Sequence, residues 1–199
     1  MSGRKIESEL ENPIDDCLIN LCEPVSEFLN KNFKFITPNF ITTVGLIVGL
    51  LAVYFVYKEN YPLAFTLFWI SYYLDCLDGY YARKYNMITK FGDYYDHLRD
   101  LLIGASVIIL IFIKLDNENL RILFSLVILA SLFTFLTHIG CQEKNSNNTK
   151  HNDCLEIFKG LCKRSDWIDL TKYFGNGSFI LIVSAFIIFL AVKKGNTNL

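Results

Sequence analysis

Residues 75–100 read DCLDGYYARKYNMITKFGDYYDHLRD, and apolar sequence flanks them on both sides. Residues 60–74 and 101–113 are uncharged runs of 15 and 13 residues, each short of the roughly 20 that a membrane helix needs. Both reach spanning length once the acidic residues are counted into the helices: 60–83 gives 24 residues and 92–113 gives 22. The stretch therefore predicts the end of one membrane helix, a tight turn and the start of the next. Carboxylates so close to apolar surroundings are costly unless a cation or a proton meets them.

Working outward, residues 40–57, 122–142 and 173–192 are further uncharged segments of 18, 21 and 20 residues. The predicted fold is an all-α integral membrane protein, a bundle of five or six transmembrane helices preceded by an amphipathic surface helix. Composition agrees: 52% of the chain is hydrophobic, 15% is aromatic, and mean hydropathy is +0.32, too apolar for a soluble domain of 199 residues. A net charge of −1 gives no basic field, so no nucleic-acid partner is expected. The polar start, MSGRKIESELENP, is not followed by the short apolar core of a cleavable signal peptide. The cysteines, at 17, 22, 76, 141, 154 and 162, have no framework spacing and read as reduced thiols.

Lysine and arginine set the expected orientation. With the N-terminus in the cytoplasm, the inside segments hold thirteen of them and the outside segments five. The acidic turn then faces the cytoplasm, and the glycosylation-like triplets at 147 and 176 lie on the side where no sugar is added. Before the first span, Asn12 can cap a helix and Pro13 suits its first position. Ile14, Leu18, Leu21, Val25 and Phe28 then recur at helical spacing, which fits a helix on the membrane surface or one packed on a neighbour. Residues 143–172 form a polar connection, with disorder expected around NSNNTKHND. Leu155, Phe158, Leu161 and Trp167 suggest a second surface helix there.

Asp75, Asp78, Gly79 and Ala82 stand at i, i+3, i+4 and i+7, one face of a helix. Gly92, Asp96 and Asp100 stand at i, i+4 and i+8, again one face. If the two helices run antiparallel, four carboxylates meet, and the small residues allow close backbone approach. Two divalent ions would balance four carboxylates. An all-oxygen ligand set favours Mg²⁺ or Mn²⁺ over zinc, and a two-metal oxygen site suits phosphoryl transfer. Arg83 could hold a phosphate, and Arg83, Lys84, Lys90 and Arg99 could instead pair with some of the aspartates.

These residues resemble the signature of the CDP-alcohol phosphatidyltransferases, D-x2-D-G-x2-A-R-x8-G-x3-D-x3-D. Asp75, Asp78, Gly79, Ala82, Arg83, Gly92, Asp96 and Asp100 fill it without departure. TPNFITTVGLIVGL at 37–50 is similar to the family's first membrane helix. The resemblance divides the chain into an N-terminal cytoplasmic segment, 1–36, and a membrane-embedded catalytic domain, 37–199. It implies metal-dependent transfer of a phospho-alcohol group from a CDP-linked donor, CDP-diacylglycerol or a CDP-aminoalcohol, to an acceptor alcohol, with release of CMP. One substrate would be a lipid, and the product a phospholipid. Asp75, Asp78, Asp96 and Asp100 would hold two Mg²⁺ or Mn²⁺ ions, with Asp100 also the general base. Asp78, Gly79, Ala82, Arg83 and Gly92 would line the donor pocket. Similar proteins are commonly homodimers, and those of eukaryotes sit in the endoplasmic reticulum.

His97 beside Asp96 is similar to the aminoalcohol branch of the family and is a candidate for positioning the acceptor, whereas the short chain is similar to the CDP-diacylglycerol branch. Proteins of this size in the family have six membrane helices, one more than the five counted here. Other readings of the aspartates are an ion-paired bundle interior, a catalytically inactive scaffold, and an ion- or proton-coupled transporter. His138, Cys141, His151 and Cys154 form two H-x-x-C pairs that zinc could use. The tyrosine pairs at 72–73, 80–81 and 94–95 suit an interfacial belt and helix packing.

Overall fold

A computed structural model describes residues 3–146 and 154–197; among these there is no strand. Six long helices carry the fold: α1 (Pro13–Asn32), α2 (Pro38–Tyr57), α3 (Tyr61–Lys84), α4 (Lys90–Lys114), α5 (Glu118–Asn145) and, after a one-turn α6 (Ile168–Thr171), α7 (Asn176–Thr197). Three stretches are long and apolar enough to cross a membrane: Pro38–Tyr57, Glu118–Asn145 and Ser165–Asn196, the last ending in α7. The α3 and α4 helices have 24 and 25 residues, and the aspartates belong to them, as the charge pattern predicts.

Local chemistry sets the helix ends. The Asn12 side chain accepts from the Ile14 N–H and Pro13 opens α1. Thr37 and Thr89 cap α2 and α4 by accepting from the N–H groups of Phe40 and Gly92. The turns into α3 and α4 use left-handed residues, Glu59 and Asn86. The main core joins α2, α3, α4, α5 and α7 through Ala52, Val56, Phe68, Val107, Ile111, Phe124 and Ile187. Outside it, leucine, isoleucine and phenylalanine side chains of α4, α5 and α7 lie exposed, as on a lipid-facing surface.

The α2 helix can lie close to its neighbours because its inner face is small: Gly45, Gly49, Ala52 and Val56 are buried. A Cβ on Gly45 would stand 2.5 Å from Arg99 Nη2, and one on Gly49 would overlap Ile103 and stand 2.8 Å from Ser71 Oγ. The Ser71 hydroxyl donates to the Gly45 carbonyl at 2.9 Å. This contact draws α2, α3 and α4 together just inside the acidic turn.

The α1 helix packs on α3 and α7. Its buried residues are Asp15, Ile19, Cys22 and Ser26, whereas Leu21 and Phe28 of the expected apolar stripe are exposed. The rotation follows from a polar anchor: Asp15 accepts hydrogen bonds from the Tyr72 hydroxyl and from the backbone of Gly177. Ahead of α1, burial pushes the Glu11 carboxyl from its ordinary 4.5 up to about 7, with Asp15 nearby adding to the shift and Arg83 opposing it. Such a group keeps its proton to higher pH in the fold than in the unfolded chain, so its stabilising effect is complete below pH 4.5 and lost as pH rises through about 7. The thermal midpoint of the detergent-solubilised protein should therefore fall between about pH 5 and 8, and Glu11→Gln should flatten that fall. Parallel profiles for the two proteins would remove Glu11 as the cause.

After α5 one expectation holds only in part and another fails. The second surface helix is present only in part, as a 3₁₀ helix at Cys154–Leu161 that holds Leu155, Phe158 and Leu161, while Trp167 falls in a separate short turn at Ser165–Trp167, and another turn, Lys172–Phe174, follows α6. These fold back on the end of α5, where a Cβ on Gly140 would overlap the Phe158 carbonyl. The cysteines are not all reduced: Cys141 and Cys162 form a disulfide, while Cys17, Cys22 and Cys76 are free thiols. That bond takes Cys141 out of the proposed zinc pairs, and His151 lies outside the described residues. Spacing could not reveal the disulfide, because its partners meet only through the fold-back. The run expected to be disordered falls largely on 147–153, also outside the described residues. Of the tyrosines, Tyr72, Tyr80 and Tyr81 are buried in helix packing, while Tyr94 is exposed.

Candidate active site

The antiparallel turn brings the acidic faces of α3 and α4 together. Asp75, Asp78 and Asp96 each present a carboxylate oxygen within 4.8 Å of the others, and Asp96, His97 and Asp100 form a second such group. Asp96 belongs to both, so the four signature aspartates form one continuous acidic site. His97 Nε2 lies 3.3 Å from Asp93 Oδ1, one turn earlier on α4.

Arg99 lies at the centre of the acidic group. Its Nη1 donates to Asp75 and, at 2.6 Å, to Asp100, and stands 3.7 Å from Asp96. Its Nη2 donates to the Ser71 carbonyl at 2.7 Å. Of the four cations considered as partners for the signature aspartates, Arg99 makes these pairs. Lys84 pairs with Glu23 and Glu27 of α1, and Arg83 Nε donates to the Gly3 carbonyl at 2.7 Å.

A cavity of about 140 Å³ opens beside this group. Asp78, Gly79, Ala82, Arg83 and Gly92, the five residues expected to line a donor pocket, all line it, together with Asp96 and His97. Asp75 and Asp100 do not line it and are joined by Arg99. The glycines keep the cavity open: a Cβ on Gly79 would stand 3.2 Å from Arg83 Nη1, and one on Gly92 would stand 2.9 Å from Asn39 Oδ1. Lining residues that the sequence reading did not single out are Lys5, Pro38, Asn39, Thr42, Met87, Ile88, Thr89 and Asp93. Asn39 and Thr42 sit in the first turns of α2, in the TPNFITT run that the resemblance covers without a role.

The donor set fits a hard cation. Asp78 Oδ2 and Asp96 Oδ1 are buried with no hydrogen-bond partner, a costly arrangement that a cation would relieve. Four carboxylates against the single Arg99 guanidinium leave excess negative charge, and the converging ligand atoms are oxygens.

Residues 35–157 match the profile of the CDP-alcohol phosphatidyltransferase family, more than half of the chain. The chain belongs to that family. Among its relatives, an archaetidylinositol phosphate synthase of Pyrococcus horikoshii is 40% identical over 73 residues, which are 37% of this chain and 39% of that protein. A CDP-diacylglycerol–glycerol-3-phosphate 3-phosphatidyltransferase of Rickettsia bellii is 30% identical over 128 residues, 61% of this chain and 70% of the relative. A CDP-diacylglycerol–inositol 3-phosphatidyltransferase of Candida albicans is 27% identical over 165 residues, 74% of this chain and 71% of the relative. The match thus spans about two fifths of the archaeal protein's length and 70% of the rickettsial one. No solved structure matches the chain.

Proposed function

We propose that this CDP-alcohol phosphatidyltransferase makes a phospholipid by moving the phosphatidyl group of CDP-diacylglycerol to a small polar alcohol, releasing CMP. The observation that carries this reading is the convergence of Asp75, Asp78 and Asp96 beside a cavity lined by all five residues expected to bind the donor. Two relatives named for CDP-diacylglycerol, one with glycerol phosphate and one with inositol, favour that donor over a CDP-aminoalcohol. In this reading α2, α3, α4, α5 and α7 span the membrane, residues 1–36 form a cytoplasmic segment, residues 37–199 form the catalytic domain, and the site faces the cytoplasm. A homodimer is compatible with it and is left to a direct measurement of mass.

Asp75, Asp78, Asp96 and Asp100 would hold two Mg²⁺ or Mn²⁺ ions, which supply positive charge to the phosphate oxygens and to the departing CMP. The chain's own residues do the rest. Arg83, Gly79, Ala82 and Gly92 shape the pocket that takes the nucleotide diphosphate. Asp100 accepts the proton of the acceptor hydroxyl as its oxygen bonds to the lipid-bearing phosphorus. The bond from that phosphorus to the CMP oxygen breaks, and CMP leaves with the electron pair. His97 stands on the cavity wall where it can orient the acceptor. The Arg99 guanidinium holds Asp75 and Asp100 in place before any ligand arrives.

A CMP-release assay on purified protein tests the reading by crossing CDP-diacylglycerol, CDP-choline and CDP-ethanolamine against inositol, serine, glycerol phosphate and diacylglycerol. CMP should appear with CDP-diacylglycerol and one polar acceptor, and chelation should stop it. Silence across every pair with Mg²⁺ or Mn²⁺ present would sink the enzyme reading and leave the scaffold or the ion-coupled transporter. Arg83→Ala should raise the apparent KM for the donor about tenfold to a hundredfold, the loss of a charge-assisted hydrogen bond. An unchanged donor KM would remove Arg83 from the pocket.

A further inference from the structure

The N-terminal segment ahead of α1 lies across the site, and it falls outside the 35–157 match to the family. Each of its first described residues is fixed by a different part of the fold. Gly3 lies so close to Tyr80 that an added Cβ would stand 2.7 Å from the ring, and its carbonyl accepts from Arg83. Arg4 bonds Asp16 at 2.7 Å and Asn20 at 2.6 Å on α1. Ile6 is buried with the Cys141–Cys162 bridge and Ile168. Between them, Lys5 lines the same cavity as Asp78, Arg83, Asp96 and His97, and its ammonium pairs with Glu143, whose side chain is only 3% exposed.

We propose that Lys5 is a phosphate-binding residue of this site, supplied by the N-terminal strap as the wall opposite the acidic helices. The inference rests on the phosphatidyltransferase reading and adds a residue to it. Lys5 and Arg83 are the lysine and arginine side chains that line the cavity, and the Gly3 carbonyl ties the strap directly to Arg83. An ammonium carries three N–H donors on a compact point charge, so it can take a phosphate oxygen alongside a carboxylate. Because Arg4 and Ile6 fix the backbone on either side and Glu143 directs the ammonium, most of the ordering cost falls in folding and not in binding. The phosphate could belong to the diphosphate of the donor or to a phosphorylated acceptor. Both present the same chemistry to Lys5.

The test compares the full-length wild type with K5Q, K5R and E143Q in CMP release, using CDP-diacylglycerol with glycerol phosphate, inositol phosphate and inositol. K5Q should raise the apparent KM of the phosphate it holds about tenfold or more, as expected for one charge-assisted hydrogen bond. A rise in donor KM with every acceptor assigns the donor diphosphate, and a rise confined to phosphorylated acceptors assigns the acceptor. K5R should recover most of the loss. E143Q keeps the Lys5 charge and removes only the group that directs it, so it should raise the same KM less than K5Q does, even if it lowers the thermal midpoint. The proposal fails if K5Q leaves every KM within twofold, or if E143Q reproduces the KM changes of K5Q, which would make Lys5 an anchor of the strap alone. Should the wild type release no CMP from any pair, the phosphatidyltransferase reading falls on its own. Titration of inorganic pyrophosphate in the presence of Mn²⁺ then decides Lys5: weaker binding to K5Q supports it and equal binding overturns it.

Discussion

Asp100→Asn should lower kcat for CMP release by about 10²–10⁴-fold, the range that a positioned general base contributes. The substitution keeps the size of the side chain, and an asparagine oxygen can still accept from Arg99, so the helix pair should stay assembled. What is lost is a basic oxygen for the acceptor proton and one of four carboxylate charges. The geometry favours Asp100 for this role over the other three. Its side chain is 42% exposed, against 24% for Asp96 and 14% for Asp75, while Asp78 is buried. An incoming alcohol can therefore approach Asp100 more readily than Asp75, although Arg99 Nη1 donates to both. Donor affinity, measured by CMP competition, should change far less than kcat. If purified Asp100→Asn released CMP at a rate near the wild type, the base would have to be another group, and His97 on the same helix would be the next to test.

The helices and the acidic faces were legible because each rests on a short-range rule. Charge-free runs at 60–74 and 101–113 that fall short of spanning length require the aspartates to be helical, and α3 and α4 include them. The i, i+3 and i, i+4 spacings put the carboxylates on facing stripes, and they do converge. The parts that escaped the reading depend on contacts between distant segments. The sequence offers Arg99 as one of four possible partners for the aspartates, and it is the one that pairs with Asp75 and Asp100, but nothing in DHLRD singles it out. It turns inward because Gly45, 54 residues earlier, leaves the room and Ser71 offers a carbonyl. On α1, nothing in the helical spacing shows that Asp15 is drawn inward by Tyr72 and Gly177. Cys141 and Cys162 are brought together by a fold-back through the 3₁₀ helix Cys154–Leu161, which no local spacing reveals. Lys5 gave no signal at all, since nothing in MSGRK says which cavity the strap crosses.

Arg99→Met should cost about 3–5 kcal/mol of stability, the usual result of removing one partner from a buried charged cluster. The guanidinium is 1% exposed and holds α4 to α3 through Asp75, Asp100 and the Ser71 carbonyl. Methionine fills much of the volume, so the loss comes from the carboxylates left facing one another rather than from a cavity. For a chain of this size the thermal midpoint should drop by about 10 °C or more. Asp75→Asn added to Arg99→Met should restore part of it, because removing one negative charge relieves the imbalance that the single change creates. Chelating divalent cations should deepen the drop in Arg99→Met more than in the wild type, where the guanidinium still bridges Asp75 and Asp100. That comparison separates the two sources of positive charge. Equal sensitivity of both proteins to chelation would mean that the aspartates do not share their cation with Arg99. An unchanged midpoint in Arg99→Met would mean that the small α2 face, and not the guanidinium, holds the acidic helices together.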